Sequence, residues 1–316
     1  MTTPADPLTL ADIALARYRL APYLTPTPVE AAPGLGEHVW LKLENVNKTH
    51  SFKIRGALNA MLALDDAARA RGIIAASSGN HAQGIACAAQ LLGVRARIVM
   101  SVHTVKRKIE GVRRWGGEPI LYGEGYTEAE HEARRLQHAD GLTYISPYND
   151  VHVVAGQGTV GLEILDALPD VERVIVPVGG GGLISGIALA IKHLKPSVEV
   201  VGVNPLLAPT MYNHYHDSDL PDLAYSIADA LPGDIEADSI TLSLTKRYVD
   251  EMKLTSEDEI KAAMRWLIET QGWLVEGGGA VGVSLLLAGH LPDDGKRTCV
   301  IISGANVDAA VVKQIL

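Results

Sequence analysis

The segment SFKIRG (residues 51–56) sets Lys53 between the ring of Phe52 and the β-branched Ile54, shortly after the strand-like run VWLKL. A lysine amine is nucleophilic only when neutral, and desolvation by apolar neighbours lowers its ordinary pKa of about 10.4. Such a lysine can condense with an aldehyde and afterwards serve as a base. Further on, PVGGGGLISGIALAI places Gly179, Gly180, Gly181 and Gly182 between a strand-like run and an apolar helix. Lacking Cβ atoms, these residues let backbone N–H groups approach an anion, and the helix adds its positive end. The run reads as a phosphate cup. It lacks the Gly-Lys-Ser/Thr of a P-loop, and Asn204 stands where a dinucleotide fold carries its acidic ribose contact. The cup therefore suits a lone phosphate.

Three further stretches carry polar groups between predicted elements. SSGNHAQG (residues 77–84) offers hydroxyls, an amide and backbone donors at a helix start, a setting that suits a carboxylate. Ser77 and Ser78 also fit N-cap positions, and His81 fits either ligand contact or packing. EGGGAVG (residues 276–282) matches G-x-G-x-x-G, but Ile302 falls near where the ribose acid belongs. It reads as a tight turn whose Glu276 faces the site. SGANVD (residues 303–308) follows the last predicted strand.

The surrounding pattern predicts an α/β protein with mainly parallel sheets. Short apolar runs at residues 39–43, 72–77, 95–100, 173–178, 198–203 and 299–303 have the continuous character of buried parallel strands. Helices are predicted from Phe52 to about Leu64, from Gly84 to Gly93, and over SEDEIKAAMRWLIETQ. In the last of these, Ser256 and Glu259 form a capping box and Gly272 closes the helix. Residues 206–240, with Pro209, Pro221 and Pro232, read as a long irregular excursion over the surface.

The formal charge of −9, from 28 Lys+Arg against 37 Asp+Glu, gives no basic surplus for nucleic acid. No apolar run is long enough for a bilayer, and the amino terminus has no basic start leading into an apolar stretch. The expectation is a soluble cytoplasmic protein with two reduced core thiols, Cys87 and Cys299, and no zinc site.

Taken in order, SFKIRG, SSGNH, GGGGLISG and SGANVD resemble the serine/threonine dehydratase group of pyridoxal-phosphate (PLP) enzymes, which includes serine racemase and threo-3-hydroxyaspartate dehydratase. The resemblance runs from about Leu8 to the end of the chain. It implies a two-lobed fold type II enzyme of the tryptophan synthase β-like kind. Residues 1–71 and 150–316 would form the large cofactor-binding domain, and residues 72–149 a small mobile domain on the substrate side. Lys53 would carry PLP as a Schiff base, with Phe52 beside the pyridine ring. Asn80 would bond the phenolic oxygen, Gly179 to Gly182 the phosphate, and Ser303 the pyridine nitrogen, with Glu276 lining the cofactor site. Ser77, Ser78, His81 and Tyr148 would meet the substrate, and Ser78 matches the opposite-face base of the racemase. A homodimer is implied.

These parts imply β-elimination. A serine hydroxyl at the pyridine nitrogen is neutral and does not demand protonation. A shallower electron sink favours prompt loss of a β-leaving group. The expected activity is dehydration and deamination of serine, threonine or 3-hydroxyaspartate to a 2-oxo acid and ammonia; a relative serving hydroxyectoine breakdown fits the same motifs. The alternatives are an amino-acid racemase, a non-catalytic phosphate-binding protein that would not need Lys53, and a nicotinamide oxidoreductase, which Asn204 and Ile302 oppose. Several members of the group bind a divalent cation through a Glu, an Asp and a carbonyl. Here Asn204, Thr210 and Ala208 occupy those positions, so no metal site is expected.

Overall fold

The computed structural model describes residues 6–316. Residues 1–5, which open the large-domain span and the amino-terminal stretch read above, lie outside the described residues. In chain order α1 (Leu10–Leu20) precedes β1 (Val29–Ala31) and β2 (Val39–Leu43), then α2 (Lys53–Ala63) and α3 (Asp66–Arg71). Next come β3 (Ile73–Ala76), α4 (Asn80–Leu92), β4 (Ala96–Met100), α5 (Lys106–Arg114), β5 (Glu118–Leu121), α6 (Tyr126–Asp140) and β6 (Thr143–Tyr144). The chain continues through α7 (Val151–Ala167), β7 (Arg173–Pro177), α8 (Gly182–Leu194), β8 (Glu199–Pro205), α9 (Thr210–His216), α10 (Ile240–Tyr248) and β9 (Glu251–Thr255). It closes with α11 (Glu257–Gln271), α12 (Gly277–Leu287), β10 (Thr298–Ile302) and α13 (Ala309–Ile315).

The strands form a six-stranded sheet in the order β1-β2-β10-β7-β8-β9 and a four-stranded sheet in the order β5-β4-β3-β6. Every pairing is parallel except β1 with β2. The smaller sheet comes from one continuous stretch. The larger joins both ends of the chain, because β10 lies between β2 and β7, with Val300 opposite both Leu41 and Ile175. The carboxyl ends of β2, β10 and β7 therefore lie side by side. The segments that follow them carry Lys53, Ser303 and Gly179, so one sheet edge gathers residues far apart in sequence.

Burial follows the predicted pattern. All five residues of β7 and of β10 are buried, as parallel strands covered on both faces require. Helix α11 has its reciprocal Ser256–Glu259 cap, closes at Gly272 in the left-handed region, and buries Ile260, Met264 and Leu267. Cys87 and Cys299 are free and buried. Among the described residues no helix is long and apolar enough to cross a membrane.

Three expectations change. Helix α4 begins at Asn80, not Gly84. Gly84 is an interior contact: a Cβ there would lie 3.1 Å from the Lys53 carbonyl carbon, so the glycine lets α4 cross α2 closely. EGGGAVG is the start of α12, with Glu276 at its N-cap, rather than a turn. Its glycines answer close approaches instead: a Cβ at Gly277 would meet the Ile227 oxygen at 2.4 Å, and one at Gly279 the Gly304 oxygen at 2.7 Å. The excursion over residues 206–240 contains the short helix α9.

Candidate active site

Helix α2 starts at Lys53, and the turn before it is fixed by β10. The Phe52 N–H donates to the Ser303 carbonyl at 3.1 Å, and Ser51 bridges Gly304. The half-buried Lys53 Nζ donates to the Pro147 carbonyl at 2.9 Å and lies 5.2 Å from the Phe52 ring centroid. Burial lowers its pKa to about 8, against the opposing charge of Glu276. Beneath this turn Arg55 is held in a buried cage. Its guanidinium donates to both Glu44 oxygens at 2.8 Å and to both Glu163 oxygens at 2.6 and 2.8 Å, while Lys42 Nζ donates to Glu163 at 2.6 Å. The cage fixes the direction in which α2 presents its first residue.

The loop before α4 brings in the smaller sheet. Ser77 Oγ accepts the Gly79 N–H at 3.2 Å. Ser78 Oγ pairs with Thr104 Oγ1 at 2.8 Å and accepts the Ser101 N–H at 3.4 Å, so its hydroxyl is engaged by the loop after β4 of the smaller sheet rather than by Lys53. Gly79, at the N-cap, leaves α4 without a side-chain cap, and the first-turn amides remain available to an anion. His81 is buried, with Nε2 3.1 Å from the Ile145 carbonyl and Nδ1 unpartnered. Burial, reinforced by the Lys53 charge, lowers its pKa to about 3, so its ring is neutral at neutral pH.

Asn80 is clamped from both sides. Its amide nitrogen donates to Glu276 Oε1 at 2.6 Å, and its oxygen accepts from Asn306 Nδ2 at 2.7 Å. Asn306 also donates to the Thr49 carbonyl at 2.9 Å, and its backbone N–H reaches Glu276 Oε2 at 3.1 Å. Burial, with the nearby Asp229 charge, raises the Glu276 pKa to about 7. Asn306 did not emerge as a site residue from sequence reasoning. Its signal was its place in SGANVD, but only the tertiary contact shows the bridge. Ser303 Oγ donates to the Gly278 carbonyl at 3.3 Å at the end of β10.

The glycine run closes the site from the larger sheet. A Cβ at Gly179 would meet the Leu231 oxygen at 2.9 Å, and one at Gly180 the Tyr148 ring at 2.5 Å. Gly182 lies against the Tyr148 backbone. Gly181 has φ +83°, and α8 begins after it with no side-chain cap. Thr241 Oγ1 fixes the loop by donating to the Gly180 carbonyl at 2.8 Å. Thus the structure brings Lys53, Phe52, Asn80, His81, Glu276, Ser303, Tyr148 and the four glycines together around two uncapped helix starts, one from each sheet.

The comparisons with known proteins give the family. The family profile described as "Pyridoxal-phosphate dependent enzyme" matches residues 20–304. The chain belongs to this family. It is 43% identical to the L-threonine ammonia-lyase of Thermotoga maritima, over 98% of this chain and 78% of that protein. It is 36% identical to the catabolic L-threonine dehydratase of Escherichia coli K12, over 98% of this chain and 96% of that one. The solved structure of maize serine racemase superposes with a TM-score of 0.91 at 32% identity, covering 97% of this chain and 96% of the other.

PLP is the cofactor of this family, and the residues present fit it. Lys53 supplies an amine whose pKa lies far below the ordinary lysine value, and the tetraglycine run supplies an uncapped helix start for the phosphate. Replacing Gly181 with alanine forces a side chain into the left-handed region, with its Cβ 2.6 Å from Met211 Cε and 3.0 Å from Thr241 Cβ. Gly181→Ala is expected to weaken PLP binding by about tenfold or more, since strain of this kind costs on the order of 1–3 kcal/mol. Titration of the apoenzyme with PLP, followed by absorbance, measures the loss.

The positions that the resemblance aligns with a divalent-cation site hold side chains engaged with the protein itself. Asn204 Nδ2 donates to the Val178 carbonyl at 2.9 Å, and its Oδ1 accepts the Tyr212 N–H at 3.0 Å. Thr210 Oγ1 is engaged by Asp222 at 2.6 Å and by the Gly233 carbonyl at 3.1 Å. The amide and the hydroxyl are already in use and carry no charge, which leaves the lone carboxylate of Asp222 where a hard cation takes several oxygens, and among the described residues no group of three or more His, Cys, Asp or Glu could hold a metal. Dialysis against a chelator is expected to leave the activity and the thermal midpoint of the holoenzyme unchanged. A loss restored by magnesium would show that a cation site persists.

Proposed function

We propose that this protein is a PLP-dependent ammonia-lyase that dehydrates and deaminates a small β-hydroxy amino acid such as serine, threonine or 3-hydroxyaspartate. The observation that carries the reading is the joining of Lys53 to Ser303. A lysine with its pKa lowered to about 8 sits on a turn held by the backbone of a residue whose side chain is a neutral hydroxyl. PLP, when bound, delocalises negative charge that develops at the substrate Cα. Lys53, in its neutral form, takes the Cα proton. The first-turn amides of α4 receive the substrate carboxylate, and Asn80, clamped by Glu276 and Asn306, keeps a fixed orientation beside them. His81 is neutral and can accept a hydrogen bond at Nδ1. The neutral Ser303 hydroxyl does not hold a proton on the ring nitrogen, which favours departure of the β-hydroxyl, and the proton that Lys53 took from Cα balances its loss as water. The released enamine tautomerises and hydrolyses to the 2-oxo acid and ammonia.

In this reading residues 72–149 are the smaller lobe, which moves over the substrate against residues 1–71 and 150–316. The ion pairs Lys108–Asp229 and Arg107–Asp308, which reach from α5 to the larger lobe, would hold it closed. The enzyme would work in the cytoplasm as a homodimer, with a free amino acid as its only ligand besides PLP. The second reading is amino-acid racemisation, favoured by the likeness to maize serine racemase. The engagement of Ser78 with Thr104 disfavours it, because that hydroxyl would have to serve the opposite face. Incubation with single enantiomers decides between them. Equal amounts of ammonia and 2-oxo acid are expected, whereas the mirror-image amino acid without ammonia would establish the racemase.

A further inference from the structure

A chain of amides links the segments that deliver the site. Asn306 Nδ2 donates to the Thr49 carbonyl at 2.9 Å and to Asn80 Oδ1 at 2.7 Å, and Asn80 Nδ2 donates to Glu276 Oε1 at 2.6 Å. The Asn306 backbone N–H occupies Glu276 Oε2 at 3.1 Å, and its carbonyl accepts from Arg107 Nη2 at 3.1 Å. Asn306 thus touches the run before α2, the start of α4, the N-cap of α12 and the first turn of α5. Asn80 and Glu276 are 7% and 3% exposed, so water is a poor substitute for these partners.

The donors and acceptors run in one direction. A side-chain amide offers two N–H donors at nitrogen and only accepts at oxygen. The Thr49 carbonyl can only accept, so it draws the Asn306 nitrogen to itself, and the second N–H of that nitrogen meets the Asn80 oxygen. With its oxygen engaged, Asn80 turns its nitrogen toward Glu276. A carbonyl accepts at every pH, so the direction is set from the Thr49 end whether or not Glu276 carries a proton. Reversing Asn80 would set its NH2 group against that of Asn306 and leave buried groups unpaired. Asn80 Nδ2 has a second N–H, for which no partner is found among the described residues. It lies at the start of a helix that has no side-chain cap. Only an acceptor can satisfy it.

We propose that Asn306 is a positioning residue: it fixes the direction of the Asn80 amide, so that the cofactor meets an N–H there and never the amide oxygen. The proposal rests on PLP as the cofactor, with its phenolic oxygen beside Asn80 as the resemblance implies, and on no particular substrate. An N–H donated to that oxygen favours its ionised form, whereas an amide oxygen would favour the protonated one. The ionised form gives lysine-bound PLP its visible band, and the neutral form absorbs in the near ultraviolet.

The test loads apoenzyme with PLP and reads the ratio of visible to near-ultraviolet absorbance at one pH, without substrate. Asn306→Ala, and Asn306→Leu, which keeps most of the volume, are expected to lower the ratio by about tenfold, the scale of one hydrogen bond to a charged group. Asn80→Ala should lower it as much, and joining Asn80→Ala to Asn306→Ala should add nothing, because Asn306 acts through Asn80. A residue that only held the loop together would lower the thermal midpoint of the apoenzyme and leave the ratio where it is. An unchanged ratio in both Asn306 variants overturns the proposal, as does a double variant in which the two losses multiply. Should the variants not retain PLP, a crystal structure of the wild-type holoenzyme decides. The Asn306 nitrogen within about 3.2 Å of the Asn80 oxygen, with the Asn80 nitrogen turned to the cofactor, supports the proposal, and any other arrangement overturns it. None of these readings needs turnover. Failure of the dehydratase reading would show separately, as the absence of ammonia from serine, threonine and 3-hydroxyaspartate.

Discussion

Lys53→Ala is expected to give a folded protein that binds PLP without the visible absorbance of a covalently held cofactor and loses turnover by on the order of 10⁴-fold. Nothing else among the site residues supplies a buried amine. His81, the other nitrogen base in the cluster, has its pKa lowered to about 3 and is too weak a base to substitute. The loss should fall on kcat and on the spectrum together, with the thermal midpoint of the apoenzyme unchanged or raised, because a desolvated cation has been removed. In the unaltered protein the rate of PLP uptake by apoenzyme should rise about tenfold per pH unit up to about pH 8 and then level off, following the neutral amine. The sign for stability is the same. Between the folded value of about 8 and the ordinary 10.5 the unfolded chain binds more protons, so apoenzyme stability rises with pH across that interval. A Lys53→Ala protein that keeps both colour and turnover would remove the lysine from its role.

Arg55→Met is expected to cost about 3–5 kcal/mol, because it leaves Glu44 and Glu163 buried with too little positive charge. Glu44 is fully buried and Arg55 is 2% exposed, so solvent cannot take over the lost interactions. At the scale of a chain this long, the thermal midpoint should fall by about 5–8 °C. Activity should fall as well, since Arg55 lies two residues from Lys53 on the same turn and a shift of about 1 Å at a reacting group can cost about a hundredfold. The double variant Arg55→Met with Glu44→Gln should recover part of the stability by removing the uncompensated charge. The pH arm follows from Glu44. Burial opposes its ionisation, but Arg55 and Lys42 overcome that and hold its pKa below the ordinary value. The contribution is present at neutral pH and is lost as pH falls through that lowered value, so the gap between wild type and Arg55→Met should narrow in acid. Equal midpoints for the two proteins at pH 7 would show that the cage does not stabilise α2.

The chemistry was more legible than the elements that deliver it. The four glycines and the apolar setting of Lys53 could be read from their neighbours, whereas the place of Ser303 came only from the resemblance carried by SGANVD. The start of α4 was misplaced by four residues because glycine ordinarily breaks a helix, whereas Gly84 serves the close crossing of α4 over Lys53. The same inversion made a helix start look like a turn at residues 276–282. Asn306 was passed over because an asparagine in a loop is unremarkable until its two nitrogens are seen to tie Asn80, Thr49 and Glu276 together.

The sequence by itself determined the alternation of strands and helices, the mainly parallel sheets, and the short runs that hold Lys53 and the four glycines, because each depends on residues close along the chain. Only the tertiary structure decided which groups meet. Placing β10 between β2 and β7 sets Ser303 under the Lys53 turn, and the crossing of α4 over α2 brings Asn80 and His81 to the same place. The depressed lysine and the raised glutamate both arise from burial, and burial is a property of what the rest of the chain folds around a residue, which no local run of amino acids encodes.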